Sequence, residues 1–303
     1  MEPKPFSFDA LLPPEMASKA ENTGVAKANL GIFRMFALAV LAGAFIAMGA
    51  IFATTVTTGG SGALPFGVTK LLGGLVFCLG LILVVVAGAE LFTGNNLIVM
   101  AWASRKVSTG KLLRNWVIVY AGNFAGSVLT ALMMFWSGQY AFSGGAVGAN
   151  ALNIANAKVS LGFTQAIVLG IFCNALVCLA VWLCMSARST TDKILAIIFP
   201  ITAFVAAGFE HSIANMYFIP IGLFVKGGAS AEFWSQAGVT AGDYANLTWG
   251  NFFLANLLPV TIGNIIGGAV MVGLVYWFIY LRPSWTHAPE RAAVEPPAPA
   301  RQL

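Results

Sequence analysis

Charge is nearly absent from long reaches of this 303-residue chain, and that absence constrains the fold more than any motif. Between Arg34 and Lys70 lie 35 uncharged residues, between Lys70 and Glu90 lie 19, and between Glu90 and Arg105 lie 14. Arg114 to Lys158 encloses 43, Lys158 to Arg188 encloses 29, and Lys193 to Glu210 encloses 16. Glu210 to Lys226 encloses 15, counting His211 as neutral, and Asp243 to Arg282 encloses 38. Only 9% of the chain is charged and 58% is hydrophobic, against about a quarter charged in soluble domains. A soluble globule and a disordered chain are both excluded. The 33 glycines follow no triplet period, so they speak for close helix packing in lipid rather than collagen. This is a polytopic membrane protein.

A spanning helix needs about 20 apolar residues. Four reaches, roughly 33–57, 113–137, 162–187 and 250–281, hold one helix each. Two more, 66–104 and 193–226, are hydrophobic but interrupted by Glu90 and by Glu210-His211, with second halves too short to span alone. Spanning strands would alternate apolar and polar residues in a closed barrel, and runs such as Leu71 to Ala89 do not alternate. The expected fold is therefore all-α, with six transmembrane helices of which the second and fifth are broken.

Six spans put both chain ends on one side. Thirteen of the 16 Lys and Arg fall there, leaving Lys70, Lys158 and Lys226 opposite. That bias places both termini in the cytoplasm. The net +5 is thus an orientation signal and calls for no nucleic-acid partner. Residues 1–32 lack the apolar core and small-residue site of a cleavable signal; they read as a cytoplasmic amphipathic segment, with Phe6, Phe8, Leu11 and Leu12 leading into Pro13-Pro14, and as a possible gate. Residues 33–281 read as the six-helix transmembrane domain, and the Pro/Ala-rich tail 282–303 reads as disordered. Cys78, Cys173, Cys178 and Cys184 all lie within spans without metal-ligand spacing, so they read as small buried apolar residues. No metal or cofactor is expected.

The halves 33–137 and 162–281 resemble each other. Gly88-Ala-Glu90-Leu-Phe-Thr93-Gly-Asn95-Asn96 lies against Gly208-Phe-Glu210-His211-Ser-Ile-Ala-Asn215-Met216. Asn115, Gly122-Asn123 and Gly126 recur at identical spacing as Asn256, Gly263-Asn264 and Gly267. Three spans per half, an odd number, make the repeat inverted, and broken helices in inverted repeats mark transport sites. Each break frees backbone groups that cost several kcal/mol if unpaired in hydrocarbon. Two half-helix starts pointing inward favour an anion.

His211 sits at such a start, and a histidine at that depth marks a pathway; with an unperturbed pKa of about 6.5 it is a natural proton relay. Glu90 and Glu210 read as structural, accepting hydrogen bonds from freed amides or bridging subunits. Asn215 and Asn264 read as polar support at the breaks, while Thr93 and Asn174 serve equally as helix-packing groups. An intramembrane hydrolase using His211 with Ser212 is disfavoured: helix neighbours diverge by about 100°, and no Gly-x-Ser-x-Gly elbow is present.

Through Ala89-Glu90-Leu91-Phe92-Thr93, the nine residues Gly208 to Met216, and Pro259 to Gly268, the chain strongly resembles the formate/nitrite transporter family, from about Phe8 to Leu281. That resemblance implies an aquaporin-like bundle, a homopentamer with one pore per protomer, and a bacterial inner-membrane location. Aquaporins themselves are disfavoured, because no Asn-Pro-Ala occurs. Within the family the second span is most similar to formate channels. The resemblance implies formate or related small anions, with protons, as the transported species. It makes Phe77, Leu81, Leu91 and Phe204 the apolar constrictions, Thr93 and Asn174 the polar partners of His211, and Lys158 an outer-vestibule cation. Thr93-Gly94-Asn95-Asn96 departs from the formate pattern and is similar to the nitrite and hydrosulfide branches, so a nitrite or hydrosulfide channel is the alternative. An anion channel and a proton-coupled carrier both fit these residues.

Overall fold

A computed structural model of the chain describes residues 10–60 and 62–282, all of its regular elements helical. Phe6, Phe8 and the tail from 283 onward lie outside the described residues. Helix α1, Pro13–Ala28, opens on two prolines, where the first helical turn tolerates them. Five long apolar helices follow the uncharged reaches closely: α2 Ile32–Thr57, α3 Phe66–Gly88, α5 Thr109–Trp136, α7 Phe163–Ser186 and α11 249–280. The second span continues past α3 as the half-helix α4, 92–103. The fifth is split into α8, Thr190–Ala206, and α9, Ser212–Gly228. Between spans lie α6, Ala146–Val159, and the short α10, Ala231–Ala237.

The breaks are built alike. Gly88 and Gly208 end the first half-helices with φ of +87° and +74°, a left-handed conformation open to glycine at little cost. The chain then runs extended through Glu90 and through Glu210-His211 before the next half-helix starts.

Helix contacts show the inverted repeat directly. Helix α2 packs along α5 as α7 packs along α11, and α3 and α8 lie side by side at the pseudo-symmetry axis. The repeat also reaches further towards the N-terminus than the hydrophobic spans alone indicate. Helix α1 lies against α4 on one face of the bundle as α6 lies against α9 on the other. Helix α1 is anchored by Met16, Ala17 and Ala20, which pack with Met100, Trp182 and Val272. It also touches the end of α11, so both described chain ends share one face.

The tightest contacts are backbone to backbone. A Cβ at Gly126 would sit 2.0 Å from the Val40 oxygen, and one at its repeat mate Gly267 would sit 2.1 Å from the Ile171 oxygen. Small residues permit this approach where lipid supplies no hydrophobic drive between helices. Gly126→Val and Gly267→Val are each expected to separate a helix pair and cost about 3 kcal/mol, the upper end of ordinary overpacking. Thermal unfolding followed by a thiol-reactive dye checks this, since all four cysteines are free and buried.

Candidate functional site

Each break frees backbone groups in the bundle interior, and asparagine side chains from α5 and α11 satisfy them. Phe92 N–H donates to Asn123 Oδ1 at 2.9 Å, and Asn123 Nδ2 donates to the carbonyls of Ala39 and Glu90 at 2.8 and 2.9 Å. In the second repeat Ser212 N–H donates to Asn264 Oδ1 at 2.9 Å, and Asn264 Nδ2 donates to the carbonyls of Gly170 and Glu210 at 2.8 and 2.9 Å. The expectation that the carboxylates would accept the freed amides is therefore corrected. An amide side chain both donates and accepts, which suits it to a site offering one N–H and two carbonyls.

The carboxylates have another set of partners. Glu90 Oε1 receives Lys27 Nζ at 2.7 Å and its Oε2 receives Asn95 Nδ2 at 2.7 Å. Glu210 Oε1 receives Lys158 Nζ at 2.8 Å, and its Oε2 receives Asn215 and Asn256 Nδ2 at 2.6 and 3.2 Å. Asn115 and Asn256 close the two clusters, donating to the carbonyls of Lys27 and Lys158. Both glutamates are about 5% exposed or less. Paired and hydrogen-bonded, a buried charge is tolerable; alone it is not. Lys27, Asn115, Asn123 and Asn256 were not singled out as site residues from the sequence. The signal was present in Lys27-Ala-Asn-Leu-Gly31 against Lys158-Val-Ser-Leu-Gly162.

Symmetry fails where α4 and α9 begin. The residue capping α4 is Leu91, and its repeat mate capping α9 is His211. His211, 2% exposed, accepts Ala214 N–H at Nδ1 at 3.1 Å. A backbone N–H only donates, so Nδ1 is the ring's lone-pair nitrogen and the neutral ring carries its proton on Nε2. Nε2–H then donates to Thr93 Oγ1 at 2.9 Å. Asn174 does not reach the imidazole. Its Nδ2 donates to the carbonyls of Thr93 and Asn264 at 3.3 and 2.7 Å and to Asn96 Oδ1 at 3.0 Å, so it holds Thr93 in place.

A cavity of about 630 Å³ opens on the face opposite the chain ends and runs inward to His211. Its lining includes Lys158, Phe77, Phe204 and Phe218. Lys158 is present there as anticipated, but its ammonium is engaged by Glu210. Phe77 and Phe204 meet edge-on at 5.7 Å, and Phe204 stacks on the imidazole at 5.8 Å. Beyond them lies a space of only about 10 Å³, lined by Ile46, Phe77, Leu81, Leu91, Val177, Ile201, Phe204 and His211. That is barely room for one water. Seven of its eight lining residues are apolar, and the eighth is the histidine. Among the described residues no three His, Cys, Asp or Glu gather as a metal site.

An inverted repeat of broken helices meeting at a constricted, donor-bearing channel defines a membrane channel or transporter of the aquaporin-like class. The family model for formate/nitrite transporters matches residues 14–278, and the chain belongs to that family. It is 50% identical over 280 residues to the formate channel FocA of Escherichia coli strain K12, covering 92% of this chain and 98% of that one. The Haemophilus influenzae formate channel FocA is 44% identical over 273 residues, covering 90% and 96%. A solved pentameric formate channel with formate bound superposes with a TM-score of 0.79 at 49% identity, covering 83% of this chain and 98% of that chain.

Breaking one partner of a buried ion pair strands the other. Glu210→Ala and Lys158→Ala are each expected to cost about 3–5 kcal/mol of stability. The double variant is expected to fall well short of the sum, and thermal unfolding of the three proteins gives the coupling directly.

Proposed function

We propose that this protein is a homopentameric channel for formate and related small monoanions, with one pathway through each protomer. It sits in a bacterial inner membrane with both termini in the cytoplasm. The single observation that carries the reading is His211, the one polar residue among the eight described residues that line an otherwise apolar constriction. The formate channels among its relatives supply the substrate class, and the basic bias of the terminal face supplies the orientation.

A monoanion reaching the constriction sheds water and takes a hydrogen bond from His211 Nε2–H, displacing or sharing Thr93 as acceptor. The Thr93 hydroxyl is then free to donate to the same anion, while Asn174 keeps its backbone fixed. Phe77 and Phe204 on one side and Leu81 and Leu91 on the other keep the ion desolvated. The capped neutral ring is a hydrogen-bond donor rather than a source of protons, since losing its one N–H proton would leave an imidazolate. Proton transfer to the substrate needs a second proton on Nδ1, which must first break the bond to Ala214 N–H.

Asparagine caps helices well and carries a neutral donor, whereas alanine does neither. In proteoliposomes His211→Asn is expected to conduct formate at pH 7.5 with the acid-dependent component lost. His211→Ala is expected to conduct poorly and to unfold about 1 kcal/mol sooner. An unchanged pH dependence in both variants removes the relay. Flux of nitrite or hydrosulfide well above that of formate moves the assignment to another branch.

Helix α1 serves as a gate on the cytoplasmic mouth. It packs on α4, pairs Glu21 with Lys106 beyond the end of that half-helix, and presents Lys27 to Glu90 at the break itself. Releasing it unpairs a buried carboxylate, so its position and the state of the break are linked. Glu21→Lys is expected to alter the pH response of formate flux, and Glu21→Lys with Lys106→Glu to restore it.

A further inference from the structure

Three lysines lie on the face opposite the described chain ends, and the fold uses up two. Lys158 is held by Glu210. Lys226 Nζ donates to the carbonyls of Tyr244 and Leu247 at 2.8 and 2.9 Å. Lys70 is exposed, and among the described residues its ammonium has only the Phe66 ring, 5.5 Å from the centroid. It lines the 630 Å³ cavity, and so does its neighbour Thr69, whose Oγ1 is buried without a hydrogen-bond partner.

Lys70, Gly73 and Phe77 all line the cavity, and their spacing of i, i+3 and i+7 sets them on one face of α3. Lys70 and Phe77 are therefore about 10 Å apart along the axis, and the γ-methyl of Thr57, itself on the cavity lining, packs over Gly73 between them. Phe209 and Phe218 face the same space. One unspent cation, a flat apolar wall and a volume within the range of small-molecule pockets make a binding site far larger than formate requires. The floor at Phe77 and Phe204 opens only onto the space of about 10 Å³.

We infer that this vestibule binds aromatic monoanions, the charged head at Lys70 and Thr69 and the rings laid over the Thr57 methyl towards Phe77. Such a ligand is too wide to pass and plugs the pathway. The plug rests on the reading of the chain as a formate channel; the binding does not.

Naphthalene-2-sulfonate, permanently charged and two rings long, is the probe. Calorimetric titration of the full chain in lipid nanodiscs is expected to show saturable binding. Lys70→Gln weakens it about tenfold, as loss of one charge-assisted contact does, while Lys70→Arg retains it and neutral naphthalene-2-sulfonamide binds about tenfold less tightly. In proteoliposomes the sulfonate blocks formate flux, each variant being compared with its own unblocked flux. Equal affinity in wild type and Lys70→Gln, or no binding at all, overturns the site. Binding without block overturns the plug. Lys70-dependent binding to a protein that passes no formate upholds the site and removes the transport reading instead.

Discussion

Everything in this bundle depends on two breaks surviving in hydrocarbon. A helix interrupted mid-membrane exposes N–H and C=O groups that lipid cannot satisfy, and nothing about a channel is possible until they are paired. Here one asparagine in each repeat, Asn123 or Asn264, bonds one N–H and one carbonyl of its break and ties them to a carbonyl of the neighbouring helix α2 or α7, while Glu90 and Glu210 N–H donate to the Leu38 and Leu169 carbonyls. The charged groups come second. Glu90 and Glu210 each tie a half-helix to the helix preceding the repeat through a lysine, so α1 and α6 are parts of the break and not decoration on its surface. A buried ion pair is weak evidence for stability; here it belongs to a network in which Lys27, Glu90, Asn95 and Asn115, from α1, α4, α5 and the break, satisfy one another.

A symmetric scaffold then makes one asymmetric substitution count. The two half-helices meet with the same geometry, yet one begins with Leu91 and the other with His211. Thr93 likewise faces a repeat mate, Ile213, that has no hydroxyl. The donor pair is thus assembled from one polar residue of each repeat, at the one level where the structural network has no further use for polar groups. Because His211 caps its own helix, the ring is oriented by the backbone rather than by a second side chain. Its outward nitrogen is fixed as a donor before any anion arrives.

The fold was legible in the sequence because a bilayer punishes stray charge so heavily. The ends of α2, α5, α7 and α11 fall within a few residues of the reaches read from charge spacing alone. The two breaks were legible for the same reason, as Glu90 and Glu210 had no other place to be. Partners were harder to read. Which oxygen an asparagine meets depends on helix rotation and on approaches as close as that at Gly126, neither of which periodicity encodes. Asn174 therefore read as a partner of His211 when it holds the Thr93 carbonyl, and Lys158, expected as an outer-vestibule cation, proves to be faced by Glu210. Lys27 was missed because α1 looked like a separate segment; its match to Lys158 is visible only once the repeat is extended past the first hydrophobic span.

The same arrangement bears on which anions such a constriction admits. The effective penalty for desolvating an ion inside protein is several kcal/mol. A hydrogen bond to a charged acceptor returns about 1.5–3 kcal/mol, and each helix start adds up to about 2 kcal/mol in a buried geometry. Those gains are of the same size as the penalty for a monoanion, which makes passage feasible without a deep trap. Charging energy grows as the square of the charge, whereas attraction to fixed donors grows only linearly. A dianion thus meets about four times the cost with about twice the compensation. Discrimination between one negative charge and two therefore needs no dedicated filter: it follows from apolar walls around a few neutral donors, and adding a cation at the constriction would weaken it.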